Sequence, residues 1–313
     1  MGNWNECAEA SSYEYEIESE DIVEADKIEL LGVGSFARVY KIILKNYENE
    51  EHEPLKQEYF SKPIAIKEFT KAFIANHDDA ELANCEVRLL RAVSPHPFIS
   101  NYIASFQDHE KAYILMEHIP CGDLLYHMKI EKKSSSNGKL TEEQAKFMCA
   151  CLVLALSHIH GCKIIHRDIK PDNVMIDELG YPKIVDFGVA DFEKDIIHGS
   201  HFGTLSYMAP EMVLNEHYSY SADYYSLGVL LLLILTGDMF AVGKTIEEAQ
   251  KHVTKRRRTL TMKKLKKRYS FLSNECVDFL HKLLQGYPNE RLGESNGIEE
   301  IKAHHWLMNI PWK

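Results

Sequence analysis

The chain has 313 residues and a formal net charge of −11, with 45% apolar and 27% charged side chains. That composition is ordinary for a globular protein with ample core, and the acidic balance disfavours wholesale nucleic-acid binding. The seven scattered cysteines contain no Cys-x-x-Cys pair, which argues against a zinc knuckle or a disulfide framework and fits reduced, intracellular thiols. The longest apolar run, Val229–Leu235, falls short of the roughly 20 residues that cross a bilayer, so stable membrane insertion is not expected.

Residues 1–24 hold eight acids and no Lys or Arg, and read as a flexible acidic arm. Met1-Gly2-Asn3 matches the start of an N-myristoylation pattern only in part, because Glu6 stands where the pattern asks for Ser or Thr. Ile28–Gly32 and Ala37–Lys45 flank a glycine turn and read as a hairpin. A polar stretch over 46–62 separates them from a strand over Ile64–Phe69. Asp79–Val93 has helical spacing, with Leu82, Cys85, Leu89 and Ala92 on one side. Two strands follow near Tyr102–Phe106 and Ala112–Met116. After Pro120 the pattern turns helical, so the join between a β-rich part and a helical part falls near Glu117–Gly122.

In the second part Lys132–Lys139 reads as a surface loop. Thr141-Glu-Glu-Gln144 is a capping box opening a helix to about His160, with Phe147, Cys151, Leu154 and Ile159 on its apolar face. Tyr218–Thr236 is apolar nearly all round and predicts a central, buried helix. Asn274–Gln285 and Gly297–His304 predict two more.

The chemistry concentrates in Ile164–Val174, where apolar flanks enclose a polar loop. Asp168 can orient and deprotonate a hydroxyl, Lys170 can neutralise a migrating phosphoryl group, and the Asn173 carbonyl oxygen can bind Mg²⁺. Pro171 stiffens the loop between them. In Leu31–Val39, Gly32 and Gly34 permit close backbone approach to phosphate oxygens, and the strand that follows excludes both a Rossmann fold and a Walker loop. Lys67 lies on a β-branched strand; alone it reads as an edge-strand lysine facing water. Glu86, nineteen residues on, could hold it against phosphates from a helix packed on the sheet. Asp186-Phe-Gly188 supplies a second candidate Mg²⁺ ligand. Asp223, inside the buried helix, should bond backbone groups of the Asp168 loop, since a buried carboxylate needs partners. Glu211 and Arg291 could form a bidentate pair. The histidines His158, His160, His304 and His305 show no carboxylate or thiol constellation around them.

These residues stand in order: the glycine-rich loop, Ile-Ala-Ile-Lys67, Glu86, His166-Arg-Asp168-x-Lys170-Pro-x-Asn173, Asp186-Phe-Gly188, Ala209-Pro-Glu211, Asp223 and Arg291. The chain thereby resembles the eukaryotic protein kinase family over about residues 26–310. Lys170 with Gly203-Thr204 resembles the serine/threonine branch. Arg291-Leu-Gly293, Ile298–Lys302 and His304-His-Trp306 resemble the AGC group, which includes the cyclic-nucleotide-dependent kinases.

The resemblance implies an α+β, two-lobed fold: an N-lobe over 25–117 with a small antiparallel sheet and one main helix, and a mostly helical C-lobe over 118–310. It implies ATP and Mg²⁺ in the cleft between the lobes, and transfer of the γ-phosphate to Ser or Thr hydroxyls of proteins. Asp168 would be the catalytic base, with Lys170 on the γ-phosphate. Asn173 and Asp186 would hold the metal. Leu31, Gly32, Gly34, Ser35, Val39 and Ala65 would line the nucleotide site, and Lys67 with Glu86 would position its phosphates. Met116 would back the adenine pocket, with Glu117–Ile119 as the hinge whose backbone bonds adenine. Thr204 would bridge Lys170 and Asp168 in the substrate-receiving segment.

Three departures from the family pattern matter. AGC kinases usually continue into a C-terminal tail that docks on the small lobe; this sequence stops at Lys313, and the expectation is that the tail is absent or a partner replaces it, so that the helix Asp79–Val93 would not be under the group's usual control. Ser200 occupies the group's activation-segment phosphosite, where Arg167 could pair with phosphoserine, yet Asp191 stands where a second cation is usual, and Glu193 and Asp195 follow it. Asp123 and Asp172 match positions that favour basic residues upstream of the target, whereas a third such acid is replaced by Leu233. Separately, Lys251–Arg268 carries ten Lys or Arg, readable as a solvated face, a nuclear-localisation patch or a dock for an acidic segment. The expectation is a cytoplasmic signalling enzyme, nuclear entry left open, with an upstream kinase or regulatory partner. The rival readings are a kinase-like scaffold without catalysis and a small-molecule phosphotransferase.

Overall fold

The computed structural model describes residues 29–34, 37–43, 62–70, 80–131, 138–193, 202–240, 243 and 245–312. The acidic arm, Ser35, Ser200, Asp195 and most of the Lys132–Lys139 stretch therefore lie outside the described residues. The chain divides into two compact units, residues 1–119 and 120–313.

The first unit is built on five antiparallel strands, β1 (Glu29–Val33), β2 (Ala37–Ile43), β3 (Pro63–Thr70), β4 (Tyr102–Gln107) and β5 (Lys111–Glu117), in the order β1-β2-β3-β5-β4. The β-branched run of β3 thus occupies the middle of the sheet, which corrects the edge-strand reading of Lys67: Lys67 has Val39 on one side and Ile114 on the other. Ile42, Ile64, Ile66, Ala104, Phe106 and Leu115 make one apolar cluster on this sheet, with Phe106 stacked on Tyr113 at 4.6 Å. Helix α1 (Ala80–Val93) buries Leu89, Leu90 and Val93, three apolar residues within one turn.

The second unit begins with α2 (Leu124–Glu131) and α3 (Glu142–Gly161). Thr141 caps α3 through the expected box: its hydroxyl accepts from Gln144 N–H, and the Gln144 side chain returns to Thr141 N–H. Phe147 corrects the expected apolar face, for it is 45% exposed; its ring lies 5.4 Å from that of Tyr181, while Met148, Cys149, Cys151 and Leu152 fill the inward positions. Short strands β6 (Ile164–Ile165), β7 (Val174–Ile176), β8 (Pro182–Ile184) and β9 (Asp191–Phe192) pair as β6-β9 and β7-β8, bracketing the polar loop between them.

After α4 (Pro210–Val213) comes α5 (Ser221–Thr236), every residue of which is buried. It starts three residues later than the apolar pattern predicts, because the Ser219 hydroxyl accepts from Ser221 N–H and the Ser219 carbonyl from Ala222 N–H, closing a turn there. Helices α6 (Ile246–Thr259), α7 (Met262–Arg268), α8 (Asn274–Leu283) and α9 (Ile298–Lys302) complete the unit. Gly228 on α5 lets α8 come close, since a Cβ there would sit 2.9 Å from the Cβ of Leu283. Gly228→Val should therefore lower the unfolding free energy by about 1–3 kcal/mol through overpacking. A urea midpoint equal to wild type would show that this contact is not tight.

Candidate active site

Residues 166–173 are shaped by one buried carboxylate. Asp223, in the first turn of α5, has no exposed surface; its Oδ1 accepts from Arg167 N–H at 2.9 Å, and its Oδ2 from His166 N–H at 2.9 Å and from His160 Nε2 at 2.8 Å. Burial opposes the ionised form, but the His160 hydrogen bond, the charges of His160 and His166 and the backbone donors outweigh it and hold the Asp223 pKa below the ordinary 3.8. His160 is the partner that sequence reading missed, and His304, beside Asp278 at 3.1 Å, is a second histidine with a carboxylate where none was expected.

The Asp223 anchor sets Arg167 in the left-handed region, φ 68°, directly before Asp168. Asp168 is 6% exposed and held at both oxygens, with accepting capacity left on Oδ1: Oδ1 accepts from Thr204 N–H at 2.8 Å, and Oδ2 lies 2.6 Å from Lys170 Nζ and 3.0 Å from Asn173 Nδ2. Lys170 Nζ also donates to Thr204 Oγ1 at 2.9 Å, so Thr204 does join Lys170 to Asp168. Asn173 Nδ2 donates in addition to the Asp168 carbonyl at 3.0 Å. With its amide donors turned to Asp168, Asn173 keeps its Oδ1 for another ligand. Pro171–Asn173 is a single tight turn opened by the proline, which holds this short spacing.

Asp186 also has positive φ, 63°, and accepts from Gly188 N–H at 3.3 Å. Phe187 between them is buried, its ring edge-on to that of His166 at 5.0 Å. Asp172 is exposed; Asp123 is half-buried and accepts from Tyr126 N–H at 2.6 Å through one oxygen. Leu233, where a further acid was considered, is buried in α5.

Below the Thr204 segment, Arg291 meets Glu211 in a fork, Nη1 to Oε1 at 2.5 Å and Nη2 to Oε2 at 2.8 Å, both side chains wholly buried. The remaining guanidinium protons go to the carbonyls of Ser221 and Gln285. The pair therefore pins α4 to the start of α5 and to the end of α8.

In the first unit, Lys67 Nζ and Glu86 Oε1 are 2.6 Å apart, their side chains 12% and 3% exposed. Ala65 stands opposite Met116 in the ladder and is buried. Glu117 uses its N–H on the Asn101 carbonyl at 2.9 Å and its carboxylate on Asn101 Nδ2 at 3.1 Å, which fixes the strand end leading to buried Ile119. Leu31 is exposed and Val39 half-buried on the neighbouring strands. A Cβ on Gly32 would meet nothing within 4 Å, so no protein contact demands glycine there. Close approach by something other than the protein is what the residue leaves room for.

In the second unit a carboxylate, a lysine and an asparagine cluster on a loop anchored from the central helix, and in the first unit a strand lysine meets a helix glutamate beneath a glycine-bearing hairpin, the arrangement of a protein-kinase-type domain. A family model for the protein kinase domain matches residues 25–307, and the chain belongs to that family. It is 34% identical over 300 residues to serine/threonine-protein kinase AtPK1/AtPK6 of Arabidopsis thaliana, covering 95% of this chain and 61% of that one. It is 31% identical over 297 residues to protein kinase 3 of Dictyostelium discoideum, covering 91% and 30%. With human ribosomal protein S6 kinase alpha-6 it shares 33% over 299 residues, covering 94% and 36%. The chain thus spans less than two thirds of the length of these relatives.

Removing one member of the buried Glu211–Arg291 pair leaves an uncompensated charge, so Arg291→Ala should cost about 3–5 kcal/mol of stability. Combining it with Glu211→Leu should recover part of the loss, read by thermal melting of the single and double variants. Additive losses would deny the coupling.

Proposed function

We propose that the chain is an ATP-dependent protein serine/threonine kinase of AGC-like type. The observation that carries this reading is the closed set around Asp168, in which Lys170, Asn173 and the Thr204 main-chain N–H converge on one carboxylate while the Thr204 hydroxyl accepts from Lys170.

Asp168 is held as an acceptor, suited to orient an incoming Ser or Thr hydroxyl and to take its proton as the oxygen attacks the γ-phosphorus in line. Lys170 then offers its ammonium to the phosphoryl oxygens as charge builds. Lys67, neutralised and steered by Glu86, would hold the α- and β-phosphates, and the Gly32–Gly34 turn would let the backbone approach them closely. The Glu117 carbonyl and the Ile119 N–H, at the hinge, would meet adenine, with Met116 behind. Oxygen donors at Asn173 Oδ1 and the Asp186 carboxylate fit a hard divalent cation, and Mg²⁺ bound there would neutralise the β- and γ-phosphate oxygens. The products are a phosphoprotein and ADP.

The acceptor is a polypeptide in this reading, because Thr204, Glu211 and Arg291 build a rigid platform that a small acceptor would not need. Asp172 and the remaining oxygen of Asp123 favour Lys or Arg upstream of the target, with less stringency than a third acid at Leu233 would give. The proposed setting is cytoplasmic signalling under an upstream kinase or regulatory partner.

The test is a Mg²⁺/ATP assay on a degenerate Ser/Thr peptide array. Phosphate should go to Ser and Thr, most strongly where basic residues precede them. Asp168→Asn should reduce kcat about 10²–10⁴-fold, and Lys67→Met should act at least as severely. Transfer surviving in Asp168→Asn, or a preference for acidic or proline-flanked sites, would overturn the assignment of that residue or of the substrate class respectively.

A further inference from the structure

Arg167, the residue between the Asp223 anchor and Asp168, has a buried guanidinium, its side chain 4% exposed. Its donors go to the Val189 carbonyl at 2.5 Å from Nε, to the Tyr218 hydroxyl at 3.3 Å from Nη1, and to Asp191 Oδ2 at 3.5 Å from Nη2. The plane faces the Phe202 ring at 4.9 Å. Among the described residues, Asp191 is the carboxylate that neutralises this charge. A buried guanidinium without a counterion is strongly unfavourable, so the identity of that anion decides whether the loop keeps its shape.

The surroundings show what the pairing holds. Asp191 and Phe192 lie antiparallel to Ile165 and Ile164, and Glu193 N–H donates to the Lys163 carbonyl at 2.8 Å. Tyr220 OH donates to Glu193 at 2.6 Å, and Asp191 Oδ1 accepts from Phe192 N–H at 2.9 Å. The stretch after Asp186-Phe-Gly188 is thereby zipped onto the strand that delivers Asp168. On the other side, Gly203 packs on the Arg167 carbonyl, where a Cβ would come within 2.4 Å at φ 101°, and its neighbour Thr204 reaches Asp168. Arg167 is the junction of both ends of the segment over 191–204.

We propose that Asp191 is a positioning residue that supplies, from within the chain, the anion Arg167 requires, so that the Asp168–Thr204 geometry stands without a phosphate on that segment. This rests on the kinase reading and adds its mode of regulation. A phosphate arriving on the segment would meet an arginine already paired and the added negative charge of Asp191 and Glu193, and would gain little.

The experiment uses the full chain, untreated and phosphatase-treated, with loss of phosphate confirmed by intact mass, alongside Asp191→Asn, Asp191→Glu and Ser200→Ala. Treated wild type and Ser200→Ala should keep kcat within about twofold. Asp191→Asn, equal in size but neutral, should lower kcat about tenfold or more with the KM for ATP nearly unchanged, and Asp191→Glu should restore most of it. A treated wild type that loses activity tenfold sinks the inference, as does Asp191→Asn with wild-type kcat, or Asp191→Glu no better than Asp191→Asn. If melting shows Asp191→Asn unfolded, the phosphatase ratio and Asp191→Glu decide alone. An untreated wild type that transfers no phosphate fails the kinase reading itself, whereas activity present only before phosphatase treatment fails this inference alone.

Discussion

A single ionised side chain in the first turn of an apolar helix organises the second unit. Asp223 would be intolerable in α5 without donors, and the donors that satisfy it are the backbone of His166 and Arg167 and the ring of His160. The carboxylate therefore fixes two successive peptide groups, sets Arg167 at positive φ, and delivers Asp168 at a defined angle to the rest of its loop. Short polar contacts hold the loop from there, and none of them would suffice if the backbone beneath could turn.

The same rule, that charge in the core must be matched, explains what was legible in the sequence. Lys67 in a β-branched strand, Asp223 in an apolar helix and Arg291 near a helix end each stand out against their local pattern, so each demands a partner, and Glu86, the Asp168 loop and Glu211 are those partners. What pattern could not show was the identity of partners that look ordinary. His160 ends α3 like any helix-terminal histidine, 63 residues from Asp223 in sequence, and only the packing of α3 against α5 joins them. Phe147 obeys the helical period of α3 and still faces outward, because the period says which residues share a face and the turn before β8 decides whether Tyr181 stands beside it. The central place of β3 was likewise invisible, since strand order depends on pairing across 40 or more residues.

The basic run over 251–268 is continuous in sequence, yet the fold divides it. Arg256 bonds the Tyr225 hydroxyl at 2.9 Å and stacks over Phe240; Arg257 grips Glu216 at 2.6 Å and caps the Gly286 carbonyl at 2.8 Å. Arginine does the structural work because its planar fork and stem can stack and bond at once. The lysines Lys251, Lys255, Lys263, Lys264, Lys266 and Lys267 stay at the surface.

That division gives the molecule a lopsided field. Six exposed ammonium groups gathered on α6 and α7 give a chain of net charge −11 a locally positive face. Such a body is retained by a cation-exchange matrix even above its isoelectric point near 5.8, because a matrix senses the nearest face rather than the sum.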